Sequence, residues 1–275
     1  MNNIFDIKRF GLTFRKDLME NGKRYTILFL AMIGIITIVN TWYSYVYYYN
    51  VSPIDSYFSN INDKLGVIII VMFLVFGLLF ASIFMSPMNS KTKKISYLST
   101  PSSDFEKYLT RWLIMTVGYI ISFFVALFFA EVLRVSICSA YYTNLNIEFI
   151  NIDEYEYDKN ILKIAVCIYF LFQSLFILGS TFWEKATFVK TISAMAIFAL
   201  LLILAMRLVV IFAYGGDNSF EPIFNNYMNN ITPEKNEEAI RLATNIISCI
   251  ISFFAITNWV LAFFRLRESE IIKRL

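Results

Sequence analysis

Four charged side chains fall inside strongly apolar runs of this chain: Glu131 and Arg134, three residues apart, then Lys163 and Arg207. A charge placed near the centre of a bilayer costs about 2.5–3.5 kcal/mol on insertion scales, so it faces other protein or a water-filled cavity. Glu131 can pair with Arg134, because residues three apart are neighbours on a helix, or with Arg207 from a different run. The same charges could instead line a polar vestibule. Lys163 lies one turn from the end of its run, where its stem can carry the amine out to water.

Other chemistries are excluded by residue type. The chain has no histidine, which removes Ser-His-Asp and Cys-His catalysis and every His-dependent metal site. Cys138, Cys167 and Cys249 are far apart in apolar surroundings, so neither a disulfide framework nor a zinc ribbon is expected and they read as small buried residues. The acids at Glu148, Asp153, Glu154, Glu156 and Asp158 lack the spacing of a calcium-binding EF-hand loop. Glu237-Glu238-Ala239-Ile240-Arg241 has two residues between its acids and its arginine, against the three of intramembrane CAAX-type proteases, which also need histidine. There is no phosphate-binding Gly-rich motif. No cofactor and no nucleic acid is expected to bind, and the chain is not expected to be an enzyme by itself.

The elements that must position these charges follow from composition. Of 275 residues, 58% are hydrophobic and 16% charged, too apolar for a soluble core of this size. A helix crosses the hydrocarbon layer with about 20 apolar residues. Six stretches qualify, near 25–47, 65–85, 113–136, 161–183, 191–214 and 245–264. The chain therefore reads as an all-α, multi-pass membrane protein with one transmembrane domain over 1–275. Segments 1–24, 86–112, 184–190 and 265–275 hold 17 Lys+Arg, against 4 in segments 48–64, 137–160 and 215–244. By the positive-inside rule both termini are cytoplasmic. The expected location is the inner membrane of a bacterial cell. The run from Trp42 to Tyr49, with Tyr141 and Tyr142, suits the opposite headgroup layer, although such a run could also form a platform for a ligand.

Two cytoplasmic pieces carry more information. Residues 1–22 form an amphipathic helix with Ile4, Ile7, Phe10, Phe14 and Leu18 on one side and Asp6, Arg9, Thr13, Asp17 and Glu20 opposite. Such a helix lies in the headgroup layer as an elbow, or packs on a partner. A weaker second stripe is Phe5, Leu12 and Met19. Between spans two and three, Ser103 and Glu106 form a capping box that starts a helix at Asp104. Pro101 turns the chain just before it. That helix is expected to continue into the third span, making a stiff elbow.

The stretch Tyr97-Leu98-Ser99-Thr100-Pro101-Ser102-Ser103-Asp104-Phe105-Glu106-Lys107-Tyr108-Leu109-Thr110-Arg111-Trp112 resembles a box between spans two and three of Bacteroidetes-type ABC exporter permeases, in the type-2 ABC transporter class. Ser-Thr-Pro stands where Leu-Pro-Ala is more usual there. The amphipathic N-terminal helix, the six spans and the charged tail Arg265-Leu266-Arg267-Glu268-Ser269-Glu270 are similar too. The resemblance implies a permease subunit driven by a separate ATPase, which binds the ATP and magnesium. It places Tyr97, Leu98, Pro101, Ser103, Phe105, Glu106 and Lys107 near the ATPase contact, with loop 184–190 as a secondary one. It also implies a second permease copy or sister permease, alongside membrane lipid. The competing expectation is an ATP-independent immunity or assembly factor that binds a peptide or lipid.

The topology has a direct test. With Cys138, Cys167 and Cys249 replaced, cysteines at Lys93 and Arg267 should resist an impermeant thiol reagent in intact cells, and one at Asp153 should react. Labelling at Lys93 from outside would invert the assignment.

Overall fold

In a computed structural model the chain is helical throughout the described residues, which are 5–50, 58–89, 91–142, 147, 149–150, 159–183, 185–214 and 233–271. The elements are α1 (Ile7–Asn50), α2 (Phe58–Ser82), a 3₁₀ turn (Ser86–Asn89), α3 (Lys91–Leu98), α4 (Asp104–Leu113), a π turn (Ile114–Gly118), α5 (Tyr119–Tyr141), α6 (Lys159–Phe182), α7 (Thr187–Tyr214) and α8 (Pro233–Ile271). Six helices are long and apolar enough to cross a membrane: α1, α2, the joined α4–α5, α6, α7 and α8. They match the six expected stretches and support a multi-pass membrane protein. The second ends at Ser82 rather than 85, because residues 83–85 turn toward α3.

One end of the bundle carries the start of α1, α4 and the last turns of α8; the other carries Tyr45, Tyr49 and Tyr141. They are called here the near and far ends. The most extensive packing is α6 on α8, then α1 on α5. Met32 and Ile36 from α1, Phe80 and Ala81 from α2, Tyr119, Phe123 and Ala126 from α5, and Phe176 and Ile177 from α6 form the centre of the core. Helix α7 touches it through partly buried Phe188 and Met195, and residues 196–208 are exposed on every face. A helix apolar all round is suited to lipid on its free sides. At the far end Tyr45 stacks on Tyr49 at 6.3 Å and meets Tyr141 edge-on at 5.5 Å.

Two expectations need correction. From Ile7 onward the N-terminal segment is not a separate elbow: α1 runs unbroken through the first span, since no proline interrupts its hydrogen bonds. The cysteines are not uniformly buried either. Cys138 is buried, Cys167 half-buried and Cys249 exposed, because a spanning helix turns apolar residues outward as readily as inward.

Gly77 marks a tight approach of α2 to α6. A Cβ there would sit 2.7 Å from the Tyr169 ring. Gly77→Ala should therefore lower the melting temperature of the purified protein, by about 1–3 kcal/mol of overpacking. Gly34→Ala, where a Cβ meets open space, is the matched control; equal melting of the two variants would refute the close α2–α6 packing.

Candidate functional site

The near end is organised around a carboxylate with no exposed surface. Glu106 stands one turn into α4, and the expected capping box is present: its backbone N–H donates to Ser103 Oγ at 3.2 Å, and its Oε2 accepts the Ser103 N–H at 3.0 Å. The same carboxylate reaches across to α1. Oε2 accepts from Arg9 Nε at 2.7 Å, and Oε1 from Arg9 Nη2 and from the Asp6 N–H, both at 2.8 Å. Each oxygen thus carries two hydrogen bonds, the pattern of an ionised carboxylate held bidentately by a guanidinium. Asp6 in turn accepts from the Lys8 and Arg9 N–H groups and caps α1.

Two turns along α1, Asp17 makes the second tie. Its Oδ1 accepts from Arg111 Nη2 at 2.5 Å and from Asn21 at 3.1 Å, and its Oδ2 from the Tyr25 hydroxyl at 2.9 Å. Arg111 is 1% exposed and also donates to the Phe84 carbonyl at 3.0 Å, so three elements meet at one guanidinium. Lys16 fastens the connection before α4, donating to Thr100 Oγ1 at 2.7 Å. The Tyr97 ring lies 5.8 Å from both Lys107 Nζ and Arg111 Cζ, within cation–π range. A cavity of about 20 Å³ among Lys16, Asp17, Tyr97, Lys107 and Arg111 has room for about one water. That is too small for a substrate.

The far end repeats the device. Arg134 donates to Glu131 through Nε at 2.9 Å and Nη2 at 2.5 Å, and to Ser44 of α1 at 3.4 Å. The Ile150 N–H also bonds Glu131, at 3.1 Å. Of the pairings left open by the sequence, this is Glu131 with Arg134, not with Arg207. Arg207 is exposed on α7 and makes no ion pair among the described residues. Lys163 is exposed and donates to Asn245 at 2.6 Å.

The seven elbow residues separate by position. Pro101 and Phe105 are exposed, and Phe105 meets Phe5 and Phe263 edge-on. Tyr97 and Ser103 are half-buried, one under the cations and one as the cap. Glu106 and Lys107 are buried. The Glu106 carboxylate faces α1, and Lys107 Nζ lies over the Tyr97 ring. The Leu98 side chain, Glu184, and the loop acids Glu148, Asp153, Glu154, Glu156 and Asp158 lie outside the described residues, as do the side chains of Glu237 and Glu238.

Just beyond the Arg111 tie the helix is not plain. Five residues, Ile114–Gly118, form a π turn joining α4 to α5, where an unbroken α-helix is expected from sequence. One extra residue in a turn leaves part of the backbone loosely paired, and such turns frequently sit at functional sites. Gln173 of α6 reaches the Met115 carbonyl there at 3.5 Å.

Sequence reasoning missed the partners of the capping box, Arg9 and Asp6, and the neighbouring contacts Asp17–Arg111 and Lys16–Thr100. A signal was available. Asp6, Arg9, Thr13 and Asp17 form a polar stripe on α1, and Ser103, Glu106, Thr110 and Arg111 form one at the start of the third span. Two polar stripes beside two neighbouring spans can pair. Glu106 and Asp17 are both occupied by donors, and no three His, Cys, Asp or Glu side chains converge among the described residues. No family model, no curated protein and no solved structure matches the chain.

Asp17→Ala leaves Arg111 buried without its carboxylate, and removal of one partner of a buried pair costs about 3–5 kcal/mol. A clear fall in melting temperature is expected, with partial recovery in Asp17→Ala/Arg111→Leu. Unchanged melting of the single variant would mean the tie does not form.

Proposed function

We propose that this chain is the permease subunit of an ATP-driven ABC transporter, an exporter, energised by a separate ATPase subunit at the near end. The observation that carries the reading is the elbow: a capped helix, α4, leads directly into a membrane span and is fastened to α1 by Arg9–Glu106 and Asp17–Arg111. A push on Pro101 or Phe105 is then delivered to two spans together, because buried ion pairs and a continuous helix resist local yielding. Cytoplasmic exposure of this end follows from the cation asymmetry. ATP and magnesium belong to the partner, and a second permease copy or sister permease completes the pathway. The sequence resemblance supplies the transporter class, and the cavity at the elbow, too small for a substrate, agrees with a mechanical role.

The test is co-purification. Pro101→Ser/Phe105→Ala trims the exposed face of the elbow and leaves the cap and both ion pairs in place, while binding of the ATPase, or its stimulated ATP hydrolysis, should fall about tenfold, equivalent to ~1.4 kcal/mol. Ser103→Gly/Glu106→Gly, which breaks the cap and the Arg9 tie, should keep membrane insertion yet lose stimulation. Lys64→Ala at the far end is the control. If the purified complex contains no ATPase, or both elbow variants keep full coupling, the permease reading fails and the ATP-independent factor replaces it.

A further inference from the structure

The first four turns of α1 sort their charges by face. At 100° per residue, Lys8, Leu12, Arg15, Met19 and Lys23 share about 80° of arc on the side away from the bundle. Leu12 and Met19 are 68% and 72% exposed, and all three cations are exposed as well. Ile7, 75% exposed, flanks them. Carboxylates are elsewhere. Asp17 is buried against Arg111, Asp6 caps α1, and Glu20 stands at the edge of the inward face, 3.6 Å from Lys16.

The stripe therefore alternates cation and apolar residue with no acid among them. A protein partner could cover the apolar residues, but a regular spacing of seven and eight residues between single cations fits a surface of uniform charge better than a folded one. Water alone would leave Leu12 and Met19 exposed, forgoing the stabilisation that covering their apolar surface provides. A helix inclined to the bilayer lays this stripe along the headgroups, with acyl chains under the apolar residues and phosphates at the cations.

We propose that this face of α1 is a docking surface for anionic phospholipids, with Lys8, Arg15 and Lys23 binding headgroup phosphates and Leu12 and Met19 contacting the chains. The inference does not depend on the transporter reading. It makes the lipid a structural neighbour of the elbow, because the same turns of α1 hold Glu106 and Arg111 on their other side.

The experiment uses the full chain in nanodiscs of equal phosphatidylcholine and phosphatidylglycerol, with bromine on the acyl chains of one lipid or the other. A bimane fluorophore is attached at Met19→Cys in a background lacking Cys138, Cys167 and Cys249. The reference is the same probe at Phe198→Cys, on the exposed side of α7. At Phe198 the two brominated lipids should quench equally. At Met19, brominated phosphatidylglycerol should quench with at least about a fivefold local excess, the enrichment expected from one basic residue at a charged surface. That excess should vanish in Lys8→Gln/Arg15→Gln/Lys23→Gln and shrink in about 0.5 M salt. Equal quenching by both lipids at Met19 would overturn the proposal, leaving an apolar contact without headgroup selection. Quenching by neither lipid would overturn it as well, placing water or protein on this face. An excess that survives the triple substitution would show that these cations do not supply it.

Discussion

A carboxylate taken out of water must be met by donors, and Glu106 is met by four hydrogen bonds from three residues, two of them on a different helix. Without Arg9 and Asp6 an ionised group at that position would be strongly unfavourable. The start of α1 and the start of the third span are therefore obliged to sit together. Asp17 and Arg111 extend the same obligation two turns further, and the Phe84 carbonyl draws in the end of the second span. At the far end Arg134, paired with Glu131, leans on Ser44 of α1. Asp17 and Ser44 are 27 residues apart on one helix, about 40 Å at 1.5 Å per residue. A hydrocarbon layer is about 30 Å thick. The two charge clusters thus bracket the apolar layer rather than occupy its centre, which reconciles buried ions with a membrane-spanning fold.

Between those brackets the core is apolar and aromatic, and it is there that the third span departs from a plain helix. The π turn at Ile114–Gly118 lies just after the near-end tie to α1 at Arg111 and just before α5, which packs along α1.

The first turns of helix α1 present polar residues to protein together with apolar ones such as Phe14. Its polar face, with Arg9, Thr13 and Asp17, is turned to protein, and Ile7, Leu12 and Met19 are turned away. Ion pairs and hydrogen bonds gain strength where water is excluded, whereas apolar side chains lose nothing by facing acyl chains. Lipid on one side and salt bridges on the other therefore favour the same rotation of the helix. The near-end packing follows suit, with Tyr108 donating to the Trp259 carbonyl at 2.8 Å and Trp112 edge-on to Trp259 at 5.2 Å.

Much of this was legible from residues alone. Six apolar runs of about 20 residues set the helices, because backbone groups in lipid must be satisfied within each segment. Ser103 and Glu106 announced a helix start, because capping is local and depends on residues three apart. Glu131 and Arg134, also three apart, were one of two pairings the sequence left open to Glu131. What the chain could not reveal by itself is long-range: that Glu106 is taken by Arg9, 97 residues away, and Arg111 by Asp17, 94 away. In a membrane the hydrophobic pattern loses its power to say which face of a helix turns inward, since lipid and protein interior are equally apolar. The choice fell instead to a few polar groups that had to find one another, and only the tertiary structure brings them within reach.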